Sequence, residues 1–162
     1  MKKLTYERFS ERILKKNIFK GEILIIENSE EIFKIIQTIQ IYFSYIFNVK
    51  IKSTKKNNLL FDDQNNLLFT ILQNRVKNCK LIRKNFTIFL KKAGFNIQET
   101  YMDLITLRFS PIKGKNRLGT LGPVKAHRDT WASNMFHQIN FWFPIHNVSK
   151  RNSIFIIPKY FN

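Results

Sequence analysis

The sequence predicts an α+β fold in which a helical first part packs against a β-rich second part. Apolar residues recur at helical spacing between residues 28 and 93, and after Gly94 the pattern changes to alternation. At 162 residues and 44% hydrophobic content, the chain is large enough for one domain with its own core. We therefore predict a single domain over 1–162, mainly helical over 1–93 and β-rich over 94–162, as a helical layer against a sheet or half-barrel.

The first helix with a clear start signal is predicted at Asn28, because Asn28 and Glu31 have the spacing of a capping box. Apolar residues then follow at helical spacing: Ile32, Ile35, Ile36, Ile39, Phe43 and Ile46. Residues 1–20 are amphipathic but ambiguous and fit either a short helix or an ordered lead-in. Residues 22–26 have the pattern of a short buried strand.

A second, long helix is predicted from Asp63 to Ala93, with Gly94 closing it. One apolar stripe runs through it at steps of three and four: Leu68, Leu72, Val76, Cys79, Ile82, Phe86, Phe89 and Ala93. Such a stripe is far more often core than a cofactor site. Cys79 is the only cysteine, which excludes an intramolecular disulfide and a cysteine-based zinc site.

Two main strands are predicted in the second part. Residues 101–109 alternate, with Arg108 on the face of Met102 and Leu104, and Pro111 ends the strand. The segment 138–144 carries Ile139, Phe141 and Phe143 on one face and Gln138, Asn140 and Trp142 on the other. The second face either meets a ligand, or Trp142 is core and the amides face solvent. The spacing leaves both open. A shorter strand is expected at 153–157.

Charge and composition narrow the class of partner. The net charge is +17, yet the basic residues are spread along the chain without a run of five, so nucleic-acid binding is expected to be unlikely. The N-terminus lacks the apolar core of a signal peptide, and no segment is long and apolar enough to span a bilayer. A cytoplasmic protein without a membrane partner is the expectation.

His127 and Asp129 are the candidate metal ligands. On an extended strand residues i and i+2 point the same way, so this His-x-Asp triplet places an imidazole beside a carboxylate. The pair supplies two of the three ligands of a 2-His-1-carboxylate site for Fe(II). The alternative is a surface ion pair of Asp129 with Arg128 or Lys125.

The surrounding sequence resembles a known family. The runs H-R-D-T-W (127–131) and Q-I-N-F-W-F-P-I (138–145) resemble the metal-binding strand and the next strand of Fe(II)/2-oxoglutarate-dependent oxygenases, with closest likeness to the phytanoyl-CoA dioxygenase-like branch. Residues 100–111, T-Y-M-D-L-I-T-L-R-F-S-P, resemble the strand before it. The resemblance extends from about Gly94 to Phe161.

This resemblance implies a double-stranded β-helix core of the jelly-roll or cupin type. It also implies a hydroxylase that uses Fe(II), 2-oxoglutarate and O2 on a small-molecule substrate, with His127 and Asp129 holding the metal. The family takes its second histidine and a 2-oxoglutarate-binding arginine from strands further downstream, whereas this sequence ends at Asn162. We therefore expect the chain to be an N-terminal fragment of an enzyme, without a complete active site of its own.

Other residues of this chain are weaker candidates for the site. His146 or His137 would supply the third ligand if the neighbouring strands pair antiparallel. The pocket wall is assigned, as a guess, to four side chains: Arg108, Gln138, Asn140 and Trp142. Two other functions remain open, namely a non-catalytic binding or structural protein of the same fold and, less favoured, a basic nucleic-acid-binding module.

Overall fold

Four helices and one pair of strands make up the regular structure of the residues that the structure describes. The computed structural model describes residues 2–5, 10–48, 63–108, 135, 138–148, 153, 154 and 156. Within them the elements follow in the order β1 (Lys2–Thr5), α1 (Glu11–Ile18), β2 (Leu24–Glu27), α2 (Glu30–Phe47), α3 (Asp63–Lys77) and α4 (Lys80–Lys92). No helix in these residues is long and apolar enough to cross a membrane.

The strands β1 and β2 are parallel, and α1 belongs to the connection between them. Lys2 pairs with Leu24 and Thr5 with Glu27. Parallel neighbours require a crossover connection, and the helix of residues 11–18 lies within it. The ambiguous lead-in is therefore strand and then helix, and the strand predicted at 22–26 is confirmed as 24–27.

The helix α2 starts one residue later than the capping box predicts. Ser29 is the N-cap, and its hydroxyl accepts a hydrogen bond from the Ile32 amide at 3.3 Å. Asn28 takes the left-handed conformation instead, with φ of 63°, which asparagine tolerates better than most residues. Glu31 is 4% exposed, because its carboxylate turns inward and accepts from Lys92 at the end of α4.

The long helix predicted over 63–93 is wrong as a single element, because it breaks between α3 and α4. The Asn78 backbone amide and side-chain amide both donate to the Asn74 carbonyl, at 3.1 and 2.9 Å. Cys79 then adopts an extended conformation. Its Sγ accepts a hydrogen bond from the Tyr42 hydroxyl at 3.3 Å, which raises the pKa of Tyr42. The predicted stop is confirmed, since α4 ends at Lys92 and Gly94 has φ of 86°.

The core forms where α2 packs against α3 and α4. The predicted apolar stripe is confirmed as core. The buried residues of this core come from all three helices: Ile35, Ile39, Phe43, Phe47, Phe69, Leu72, Val76, Ile82, Phe86, Phe89 and Leu90. Aromatic rings stack within it, with centroids 4.6 Å apart for Phe43 and Phe47. The second part of the chain packs onto this helical core.

The predicted strands in the second part are not paired into a sheet over their described residues. Residues 101–108 and 138–144 form neither strand nor helix, although burial alternates over 104–108 and over 139–143. Ile105 and Leu107 face the core while Arg108 is exposed. A strand needs a backbone partner, and the Leu107 amide donates instead to the Gln73 side chain at 2.8 Å. The double-stranded β-helix therefore stays a prediction.

The ion pair between Lys92 and Glu31 should stabilise the packing of α4 on α2. Replacing Lys92 with methionine keeps its apolar stem but leaves the Glu31 carboxylate buried without its cation. We expect the free energy of unfolding in urea to fall by about 1–3 kcal/mol. The matched control is Lys34→Met, which removes an exposed pair with Glu30 on α2. An equal effect of the two substitutions would contradict a structural role for the buried pair.

Candidate metal centre

The structure describes part of the predicted site. The two candidate ligands His127 and Asp129 lie outside the described residues, as does His137. The other candidates are described: Arg108, Gln138, Asn140, Trp142 and His146. Within the described part of the chain, no three His, Cys, Asp or Glu side chains lie close enough together to hold a metal ion. The described residues therefore do not form a metal site by themselves, and the ligand pair His127 and Asp129 stays a prediction.

One face of the segment 138–145 is fixed by apolar packing. Ile139, Phe141, Phe143 and Ile145 are partly buried against the helical core. The Phe141 ring lies edge-on to Phe86 at 5.5 Å and to Phe89 at 5.7 Å between centroids. These are the geometries that aromatic pairs prefer. The odd-numbered residues of the segment thus face α4.

The alternate face of this segment points away from the helical core. Trp142 is 48% exposed and Asn140 is also exposed. The Gln138 side-chain amide donates a hydrogen bond to the Asn140 side-chain carbonyl, so the two amides lie side by side. Of the two readings that the spacing leaves open, a core position for Trp142 is wrong. An indole and two amides form a polar and aromatic surface, which we call the 138–142 face.

His146 lies where this segment passes over α2. The Gln40 side chain donates to the Ile145 carbonyl at 2.7 Å, which ties the backbone beside His146 to the helix. The imidazole packs edge-on to the Phe43 ring, with centroids 6.2 Å apart. His146 is exposed, and its partial desolvation beside this ring lowers the pKa of the imidazole below its usual 6.5, so the neutral form is favoured near pH 7. A metal-ligating histidine must be neutral, and His146 meets that condition.

The Arg108 side chain points away from the side of its segment that packs on the core. It follows Leu107, which is 4% exposed, and it faces outward as an exposed cation. An exposed guanidinium is available to a carboxylate, which suits the role assigned to it in a pocket for an anionic co-substrate. Gln138, Asn140 and Trp142 lie on one face of their segment, and His146 follows Trp142 by four positions in the sequence.

Two side chains that hold this region carry no signal in the sequence. Gln40 lies on α2 among apolar residues and reads as an ordinary polar position, yet it binds the chain 105 residues later. Gln73 accepts from the Leu107 amide, while its own Nε2 is buried without a hydrogen-bond partner. Both depend on contacts between distant parts of the chain, which periodicity does not encode.

Comparisons with known proteins give no match: no family model, no curated protein and no solved structure is significantly similar to this chain. The resemblance to 2-oxoglutarate-dependent oxygenases therefore depends on the motif residues quoted above.

Substitutions at the neighbouring positions 141 and 142 should differ sharply in their effect on stability. Phe141→Ala removes a partly buried ring from its contacts with Phe86 and Phe89, and we expect a loss of about 2–3 kcal/mol in unfolding free energy. Trp142→Ala removes a ring that is 48% exposed and should cost much less. Urea unfolding followed by circular dichroism measures both. The reverse ranking would show that the segment packs by its other face.

The pH dependence of stability should contain a contribution from His146. The unfolded chain takes up this proton near pH 6.5, whereas the folded chain, with its lowered pKa, resists protonation. The unfolded state then binds more protons, so the contribution is complete above pH 6.5 and is lost as the pH falls towards the folded pKa.

His146→Gln should reduce the loss of unfolding free energy between about pH 7.5 and about pH 5.5. The comparison is between wild type and variant at both pH values, because carboxylate titration is common to both proteins and cancels. A variant that keeps the full wild-type difference would show that folding does not lower the pKa of His146.

Proposed function

We propose that this chain carries the metal-binding region of an Fe(II)- and 2-oxoglutarate-dependent hydroxylase that acts on a small molecule. The observation that carries the proposal is His127-Arg128-Asp129 followed at short distance by the segment 138–145. Histidine and aspartate at i and i+2 supply two ligands of a facial Fe(II) site. The exposed 138–142 face beside them in sequence is consistent with a substrate-binding wall.

The donor set suits this metal. Fe(II) in such sites takes two imidazoles and one carboxylate and leaves positions for O2 and a co-substrate. His127 and Asp129 would supply the first imidazole and the carboxylate. His146 is a candidate for the second, because its lowered pKa favours the neutral form and the Phe43 ring packs against it. His137 is the other candidate in this chain.

The protein's own contribution would be to bind and orient the reactants. Fe(II) with 2-oxoglutarate and O2 supplies the oxidising power for hydroxylation of a C–H bond. Arg108, as an exposed cation, would bind a carboxylate of the co-substrate. The Gln138 and Asn140 amides would hydrogen-bond a polar substrate group, and the Trp142 ring would cover its apolar part and exclude water.

Fe(II) binding under anaerobic conditions tests the ligand pair. We expect His127→Ala and Asp129→Ala each to weaken Fe(II) binding to the full chain by at least about tenfold, since each removes a metal ligand. Equilibrium dialysis measures this affinity. The matched control is Asp103→Ala, which removes an exposed carboxylate from another segment. Wild-type affinity in both ligand variants would overturn the proposal.

The same assay separates the two candidate third ligands and the non-catalytic alternative. His146→Gln and His137→Gln are compared, and the ligand is the one whose loss weakens Fe(II) binding. Succinate formation from 2-oxoglutarate, dependent on Fe(II), distinguishes a hydroxylase from a binding protein of the same fold. Fe(II) binding without any turnover of 2-oxoglutarate would favour the non-catalytic function.

A further inference from the structure

The break between α3 and α4 gives α4 a basic outer face. The helix Lys80–Lys92 contains no acidic residue. Its apolar side, with Ile82, Phe86 and Phe89, is buried in the core. On the opposite side lie four exposed cations, which we call the α4 basic face: Lys80, Arg83, Lys84 and Lys91.

The spacing places these four cations in one row. At about 100° per residue, positions 80, 84 and 91 fall within roughly 40° around the helix axis, and position 83 flanks this row at about 60° from position 80. The row from Lys80 to Lys91 spans about 16 Å along the axis at ~1.5 Å per residue. The basic residues are spread along the sequence without a run of five, yet these cations come together on the outer side of α4.

The α4 basic face is not neutralised within the described part of the chain. The ion pairs there involve Lys15, Lys34 and Lys92, and none involves a cation of this face. Asp103 lines a small surface depression together with Lys77 and Arg83. Asp103 forms no ion pair with the described residues, and its carboxylate accepts from the Leu104 amide at 2.6 Å.

We propose that the α4 basic face binds the phosphate backbone of nucleic acid without reading its base sequence. A nucleic-acid strand carries one negative charge about every 3.4 Å along its axis, so a 16 Å row of cations matches several consecutive phosphates. The chain has a net charge of +17 and a pI of about 10.2, which is the electrostatic character of such proteins.

An anionic membrane surface is the less suitable partner for this face. Helices that bind membranes insert an apolar side between the lipids while their cations stay at the headgroups. The apolar side of α4 is already occupied by α2 and by Phe141. Two large apolar side chains near the row are exposed, Leu81 at 54% and Leu104 at 43%. A linear array of cations with little apolar surface suits a linear polyanion.

Fluorescence anisotropy of labelled nucleic acid tests the proposal. The probes are a DNA duplex of about 20 base pairs and a single-stranded RNA of about 20 nucleotides, titrated with the full chain between about 50 and 200 mM KCl. The α4 variant replaces Lys80, Arg83, Lys84 and Lys91 with glutamine, which keeps helix propensity. The matched control replaces four other exposed lysines with glutamine and so removes the same charge. These are Lys15 and Lys16 on α1, Lys20 in the turn after α1, and Lys34 on α2.

For the duplex, we expect the slope of log affinity against log salt to become shallower by about 3 to 4 in the α4 variant, since each lost phosphate contact removes about 0.9. The affinity of this variant at the lowest salt should fall by at least about tenfold relative to the control variant. Thermal unfolding of both variants is measured alongside, because all substituted side chains are exposed and the fold should persist.

Three outcomes would overturn the proposal. The first is absence of binding to both probes at the lowest salt. The second is an equal loss in the α4 variant and in the control variant, which would assign binding to net charge alone. The third is α4-dependent binding to phosphatidylserine vesicles with none to either nucleic acid, which would assign the face to a membrane surface.

Discussion

The packing of Phe141 against the aromatic rings of α4 determines which face of the segment 138–145 points outward. Its ring is held edge-on by Phe86 and Phe89 and lies 6.4 Å from Phe95. Because side chains alternate along an extended segment, the position of this one ring sets the direction of its neighbours. Gln138, Asn140 and Trp142 face outward for that reason. The polar surface therefore depends on an apolar contact on the opposite side of the same segment.

The helical core against which Phe141 packs depends on the break between α3 and α4. A continuous helix over 63–93 would carry its second half away from α2, whereas the break at Asn78 and Cys79 lets α4 pack along it. Lys92 then reaches the buried carboxylate of Glu31. The same packing buries the side of α4 that carries Ile82, Phe86 and Phe89 and leaves the cations of the α4 basic face on the outside. One local break thus produces both the surface that holds the 138–145 segment and the α4 basic face.

Features that follow from hydrophobic periodicity were predicted correctly from the sequence. Features that depend on contacts between distant residues were not. The stripe from Leu68 to Ala93 became core, because a period of 3.6 residues specifies a buried helix face directly. The break at Asn78 was missed, since an asparagine inside a helical pattern is a weak signal. Burial alternates over 104–108 as expected, but pairing into a sheet requires a partner that the pattern cannot name. The surroundings of His146 depend on its contact with Phe43 and on the hydrogen bond from Gln40 to the neighbouring backbone, and no sequence motif indicates these contacts.

A strongly cationic chain attracts both a small dianion and a long polyanion, and the two differ in how binding responds to salt. Binding of 2-oxoglutarate at Arg108 would neutralise few charges, so its affinity should depend only weakly on ionic strength. Contact with several phosphates along α4 releases a counterion for each, which makes the dependence steep. The two proposed sites also use different elements, since the α4 cations do not belong to the predicted metal centre. Loss of the α4 basic face should therefore leave Fe(II) affinity unchanged, and loss of His127 should leave the salt slope of nucleic-acid binding unchanged. We therefore expect the two proposed functions to be separable, because the α4 basic face and the 138–142 face lie on different parts of the chain.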